Sequence, residues 1–427
     1  MPPDPRDPPR PPPPRRVAIL GAGPVGLEAA LYARGLGFDV AVFDRGDVAA
    51  SVAGWGFVTL FSPWRMNTTA LGRAVVPEGP AFAGPLADVC PSGRELRDRY
   101  LLPLAGSPAV RGAVRPYTEV VAVARQDYGK ADEIGTGRRR GSRFRVLVRD
   151  ARTRAERVET ADVVLDCTGT YGHHRWAGRG GVPAPGERRA REHVLYTIPD
   201  LLGTDRPRYA DRHTLLLGCG YSAATALTAF ERLHRSHPRT RVSWAFRRPG
   251  QALRAIAGDP LPARRGLVEA SLALADRPPP WLQFLGHATL EAVDGGTPLG
   301  VTLDHAGTAV SLAVDEVVAL VGYGPDASIY DQLQVHQCYA TAGPMKLAAA
   351  LLGEAGADCL TAGAALGPEA LRNPEPDFLI LGAKSYGTNS NFLLQTGHAQ
   401  VRDAFRLITG DAALDLYACV PAAVTTR

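Results

Sequence analysis

The sequence predicts an α/β chain with two units of parallel sheet, and three observations predict it. Two glycine fingerprints, Gly21-Ala22-Gly23-Pro24-Val25-Gly26 and Gly218-Cys219-Gly220-Tyr221-Ser222-Ala223, stand in separate halves of the 427-residue chain. Each follows a short apolar run, Val17-Ala18-Ile19-Leu20 or Thr214-Leu215-Leu216-Leu217, that reads as a buried strand. Each opens a stretch with helical periodicity. In such a strand–turn–helix the first glycine permits a tight turn, the second lets the backbone approach a pyrophosphate, and the third position must be small for helix–strand packing. The helix N-terminus then offers unpaired N–H groups and the positive end of its dipole to phosphates. Two such units imply two dinucleotide sites.

The elements follow in order. Residues 1–15 are dominated by proline with Asp and Arg, cannot form a packed core, and read as a disordered tail. After the first fingerprint, residues 27–36 form a helical run closed by Gly37, and residues 38–43 a strand ending at Asp44-Arg45. A carboxylate at that strand end accepts hydrogen bonds from the ribose hydroxyls of an adenosine. The aromatic stretch 55–69 follows, with Trp55, Arg65, Asn67 and Thr68 offering stacking surfaces and donors, or else packing onto the core as a loop. Residues 118–125, 143–148 and 157–165 read as a β-meander, with Arg138-Arg139-Arg140 in an exposed hairpin loop. After the second fingerprint come a helix over 223–233 and a strand over 242–246 that ends in Arg247-Arg248. Two guanidinium groups there pair with a 2′-phosphate and favour NADPH over NADH. Residues 301–305 and 310–314 are small strands, 378–381 is a strand ending in Gly382, and a helix runs from about 392 to 408.

Composition narrows the function. Lys and Arg total 48 against 43 Asp and Glu, with both signs interspersed, which gives no case for nucleic acid or a membrane surface. No apolar stretch marks a secretory signal or a membrane span, so a cytoplasmic protein is expected. The six cysteines at 90, 167, 219, 338, 359 and 419 form no CxxC or CxxxxC pair, and Cys167 and Cys219 read as packing residues. No metal-ligand spacing appears: His173 and His174 are adjacent, which does not suit chelation of one metal from one element.

With an early first fingerprint, a second near the middle and glycine-bearing junctions at 163–170 and 317–326, the chain resembles the flavoproteins with two dinucleotide-binding domains. That resemblance implies two Rossmann-like three-layer domains, an NADPH domain at 206–325 inserted into an FAD domain formed by 16–205 and 326–427. It implies FAD at Gly21, Gly23, Pro24, Gly26, Asp44, Arg45, Trp55, Arg65, Asn67, Val120, Thr168, Gly169 and Gly382. It implies NADPH at Gly218, Gly220, Tyr221, Ser222, Ala223, Arg247 and Arg248. Val120 would lie beside the adenine, and the helix after Gly382 would direct its N-terminus at the flavin pyrimidine. Where the family commonly has Asp soon after that glycine, this chain has Lys384, one of its three lysines. Lys384, Tyr386 and Asn389 are the candidates for lining the flavin or substrate pocket.

Disulfide reductases of this superfamily need a close cysteine pair, which is absent. The layout is most similar to the flavin-containing monooxygenases and microbial N-hydroxylases, which implies a small nucleophilic substrate, an amine nitrogen or sulfur, oxidised with O2 through a flavin C4a-hydroperoxide. The segment before the second fingerprint departs from the FxGxxxHxxx(Y/F) pattern: it reads Gly180-Gly181-Val182-Pro183-Ala184-Pro185-Gly186-Glu187, with His193 and Tyr196 further on. An NADPH-dependent flavin reductase or dehydrogenase, or a non-catalytic flavin redox sensor, therefore stays open.

Overall fold

The computed structural model describes residues 15–247, 253, 255–353 and 366–418. In chain order its strands are β1 (Arg16–Leu20), β2 (Asp39–Phe43), β3 (Val114–Arg115), β4 (Thr118–Arg125), β5 (Phe144–Asp150), β6 (Glu156–Ala161) and β7 (Val163–Asp166). There follow β8 (Val194–Leu195), β9 (His213–Leu217), β10 (Arg241–Phe246), β11 (Leu282–Gly286), β12 (Ala288–Asp294), β13 (Leu299–His305), β14 (Thr308–Val314), β15 (Glu316–Ala319) and β16 (Phe378–Ile380). Four long helices flank them: α1 (Pro24–Gly35), α2 (Tyr221–Ser236), α3 (Pro262–Asp276) and α4 (Leu394–Thr409).

Two five-stranded parallel sheets carry the molecule, ordered β16-β7-β1-β2-β3 and β11-β10-β9-β15-β8. Their central strands are unbroken apolar runs because helices or other layers cover both faces. Since β16 joins the first sheet only after the second is complete, the second unit is inserted into the first. Strand β8 joins the second sheet by pairing with β15, so that sheet reaches back before residue 206, where the linear reading begins its domain. A two-residue edge strand carries no periodicity that could have announced it.

Two three-stranded antiparallel meanders, β4-β5-β6 and β12-β13-β14, sit beside the sheets. The run 157–165 divides at Asp162, whose carboxylate takes the Arg16 N–H at 2.7 Å. Strand β6 stays with β5, and β7 leaves to pair with β1. Helices α1 and α4 cover the first sheet together, with Tyr32 stacked on Phe405 at 5.2 Å between ring centres.

The basic loop is only partly exposed. Arg139 is buried, and its guanidinium holds Glu375 at 2.7 Å, while Arg125 donates to the same carboxylate at 2.8 Å and lies 3.6 Å over the Phe144 ring. Burial works to raise the Glu375 pKa, but hydrogen bonds from Arg139, the Gln334 N–H and Arg125 overcome it and hold the group below its ordinary value. The cluster joins the meander to the returning C-terminal segment.

Candidate functional site

The first fingerprint is the turn between β1 and α1. Gly21 has φ +99°, and a Cβ there would stand 2.7 Å from the Cys167 carbonyl oxygen. A Cβ at Gly26 would overlap the Gly21 carbonyl, so α1 lies directly on the turn. Gly23 has nothing within 4 Å of a Cβ: the second glycine faces open space, as close approach by a phosphate requires. Helix α1 starts with Gly23 as N-cap and Pro24 at its first turn, without a side-chain cap or an acidic first-turn residue, so its N–H groups are left for an anion. Asp44 closes the other side, accepting the Ala22 N–H at 2.7 Å and the Gly46 N–H at 2.9 Å. Its carbonyl takes the Thr118 N–H at 2.6 Å, which starts β4 and places half-buried Val120 on the strand beside this loop. Arg45 is exposed and its guanidinium lies over Gly172.

The second fingerprint repeats this construction. Gly218 has φ +133°, a Cβ on it would overlap the Leu320 carbonyl, Gly220 faces open space, and Ala223 is fully buried in the small third position. The hydrogen bonds correspond as well: Gly21 N–H to Phe43 and Gly218 N–H to Ala245, Cys167 N–H to Leu20 and Leu320 N–H to Leu217. Helix α2 also lacks a side-chain cap. Tyr221 is half-buried, Ser222 is exposed, and Arg247 stands exposed just beyond β10. Arg248 lies outside the described residues.

The returning segment completes the first site. Gly382, with φ +73°, follows β16, donates its N–H to Gln400 at 2.8 Å and packs on Val25 of α1. The first turn of α4 packs on the same valine through Gly397. Beyond Gly382 the structure corrects the expected pocket lining. Lys384 and Tyr386 are each 1 % exposed, so neither side chain faces open space. The Lys384 ammonium is 2.6 Å from Asp166, itself 0 % exposed at the end of β7, and donates to Thr168 Oγ1 at 2.9 Å. Asp166 also accepts the Thr168 hydroxyl at 2.7 Å. Lys384 therefore positions the crossover Asp166–Gly169, where Gly169 has φ +68°. Asn389 is half-buried and accepts the Asn391 N–H at 2.9 Å.

The aromatic stretch divides its work. Trp55 packs against Gly93, Trp64 is buried against Phe82 at 4.3 Å, and Phe61 reaches 5.2 Å from the Tyr221 ring, bringing this loop to the second fingerprint. Asn67 is buried with its amide committed to the Ser62 and Pro63 carbonyls, and exposed Arg65 pairs with Asp88 at 2.6 Å. Their polar groups serve the loop itself.

The junction segments run side by side: Arg175 N–H bonds the Gly322 carbonyl at 2.9 Å and Gly324 N–H the His173 carbonyl at 2.9 Å. The stretch 176–196 is organised by Glu187, a buried carboxylate that takes the Ala177 N–H at 2.8 Å, the Ala184 N–H at 2.7 Å and the Tyr196 hydroxyl at 2.7 Å. Sequence reasoning assigned no role to Asp166 or Glu187. The available signal was an acidic residue closing an apolar strand in one case, and one set in a Gly/Pro turn in the other.

No protein-family model matches the chain, and no curated protein matches it in sequence. Solved structures do match in fold. The bacillithiol disulfide reductase of Bacillus cereus is 18 % identical over 93 % of this chain and 99 % of its own, with a TM-score of 0.64. A Kutzneria ornithine N-hydroxylase, solved with reduced FAD, NADP+ and L-ornithine, is 16 % identical over 93 % and 99 %, with a TM-score of 0.62. The T. acidophilum thioredoxin reductase is 17 % identical over 93 % and 100 %, with a TM-score of 0.55. The chain has the fold of the flavoproteins with two dinucleotide-binding domains.

Proposed function

We propose that this chain, built on the fold those flavoproteins share, is an FAD-dependent oxidoreductase reduced by NADPH, and that it acts as a monooxygenase on a small nucleophilic substrate. The paired turns carry the reading: each presses its first glycine on a crossover carbonyl and opens its second to space at an uncapped helix N-terminus. Gly21–Gly26 and the α1 N-terminus would hold the FAD pyrophosphate, Asp44 the adenosine ribose, and Thr168, Gly169 and Gly382 the ribityl side. Gly218–Ala223 and the α2 N-terminus would hold the NADPH pyrophosphate, with Arg247 on the 2′-phosphate. Bound FAD supplies hydride acceptance and oxygen activation; the chain orients it and excludes water.

Cys167, the cysteine beside the first turn, argues against a thiol relay from the flavin. The four described cysteines, Cys90, Cys167, Cys219 and Cys338, form no disulfide, and burial pushes the Cys167 thiol well above its ordinary pKa, away from the reactive thiolate. A flavin reductase without oxygen insertion is the second reading, favoured by the two disulfide reductases of the same fold. Protein saturated with FAD and given NADPH, O2 and a panel of amines and sulfides separates the two: a product heavier by one oxygen atom supports monooxygenation, and NADPH oxidation without such a product overturns it. Arg247→Ala should raise KM for NADPH far more than for NADH, and equal effects would remove the phosphate contact.

A further inference from the structure

Glu28 on α1 is a fully buried carboxylate that joins no ion pair among the described residues. Hydroxyl groups from three other segments surround it instead. The Thr69 hydroxyl donates to it at 2.8 Å and the Tyr100 hydroxyl at 3.5 Å, both from the first unit. The third comes from residues 411–418, the stretch that follows α4. Tyr417 is partly exposed, yet its hydroxyl has no accessible surface: it points inward, bears on Glu28, Tyr100 and Tyr32, and is not aligned for a hydrogen bond. Arg73 attracts the carboxylate from beyond ion-pair distance. Buried polar groups are otherwise almost always paired, so a carboxylate without a cation, covered by a tyrosine hydroxyl without a partner, calls for an explanation.

The covering segment is lightly fastened. Gly410, with φ +78°, ends α4 in the left-handed conformation and lets the chain turn back. Beyond it the Leu416 N–H bonds the Tyr32 hydroxyl at 3.0 Å, Arg406 Nε holds the Leu414 carbonyl at 2.8 Å, and Asp415 lies 3.6 Å from Arg402 and 4.0 Å from Arg406. Tyr417 meets Tyr32 edge-on, 5.2 Å between ring centres. Residues 411–418 belong to no helix or strand, so they can open without unfolding the sheets. Opening admits water to Glu28, and water solvates an ionised carboxylate better than three fixed hydroxyls do. We propose that residues 411–418 are a pH-sensitive latch, closed over Glu28 while its carboxyl is protonated and released from α1 when it ionises. Burial pushes the Tyr100 and Tyr417 hydroxyls well above their ordinary range, so neither titrates near neutrality and Glu28 is the switching group. The latch needs only side chains of this chain, so it stands independently of the flavin reading.

Amide hydrogen exchange of the full-length protein and of Glu28→Gln, followed by mass spectrometry at pH 6, 7 and 8, tests it. The peptide 411–418 is identical in the two proteins, so the ratio of its exchange rates cancels the intrinsic effect of pH. With the carboxyl at about 7 when covered and at the ordinary 4.5 when hydrated, that parent-to-variant ratio should rise about ten-fold between pH 6 and pH 8. In both proteins the peptide should exchange well ahead of β1. Tyr417→Ala opens a path for water to the carboxylate, so in that background Glu28→Gln should change the exchange of 411–418 by less than about two-fold at every pH. The proposal is overturned by a parent-to-variant ratio that does not change with pH, or by exchange of 411–418 at the rate of β1, which would show that the segment opens only with the whole unit. It is also overturned if the full ten-fold dependence persists in the Tyr417→Ala background.

Discussion

Replacing Glu28 by Gln should remove a pH dependence from the stability of the first unit. Glu28 lies on α1 just beyond the last fingerprint glycine, fully buried, with the Thr69 hydroxyl donating to it at 2.8 Å and the Tyr100 hydroxyl at 3.5 Å. Burial raises its pKa from the ordinary 4.5 to about 7, against the lowering effects of those hydroxyls and of Arg73. The folded chain therefore holds a proton that the unfolded chain releases, and stability falls as pH rises from 4.5 to about 7. At about 1.4 kcal/mol for each tenfold change in proton affinity, roughly 2.5 kcal/mol is lost between pH 5 and pH 8. Gln keeps the shape and cannot ionise, so Glu28→Gln should approach the parent's stability near pH 5 and exceed it by about that amount at pH 8. Urea unfolding of both proteins across this range, followed by near-ultraviolet circular dichroism, measures the difference. A parent–variant gap that stays constant with pH would show that Glu28 is ionised throughout and refute the reasoning.

Three further outcomes are expected. Lys384→Met strands the buried Asp166 carboxylate and should cost about 3–5 kcal/mol in unfolding free energy, whereas Lys384→Met with Asp166→Leu should recover most of it; equal losses in single and double variants would show that the pair is not coupled. Gly23→Ala should fold normally, because its Cβ meets open space, yet retain FAD poorly on gel filtration; Gly26→Ala should fail to fold, because its Cβ overlaps the Gly21 carbonyl. Cys167→Ala should preserve NADPH oxidation, since the thiol is buried and packs against the first turn; loss of turnover with FAD still bound would point to thiol chemistry and to the reductase reading.

What the sequence made legible was local. A strand, a glycine turn and a helix are specified by residues within one short stretch, so both turns and both following strands could be read at once. The contacts that fix the rest are distant: Lys384 meets Thr168 across 216 positions and Arg139 meets Glu375 across 236, and neither lysine nor arginine announces its partner. A lone lysine beyond a strand-ending glycine therefore looked like a pocket residue, and a run of arginines like a solvated loop. Burial reverses the first reading and, at Arg139 alone, the second, because a cation without solvent must have its carboxylate nearby.

The two turns show where sequence is constrained and where it is free. At each, the first glycine is held by a backbone carbonyl of the crossover, Cys167 in one unit and Leu320 in the other. A cysteine and a leucine can occupy equivalent places because the contact uses the main chain. The requirement passes instead to the groups that fix that main chain: in the first unit, Asp166 and Thr168 on either side of Cys167, held by Lys384. Lys384, which follows the strand-ending glycine, is thus matched by a carboxylate on the neighbouring strand, so the pair must be read as one unit. A substitution at Lys384 alone should disturb the first glycine turn through the crossover, although Lys384 faces no open space.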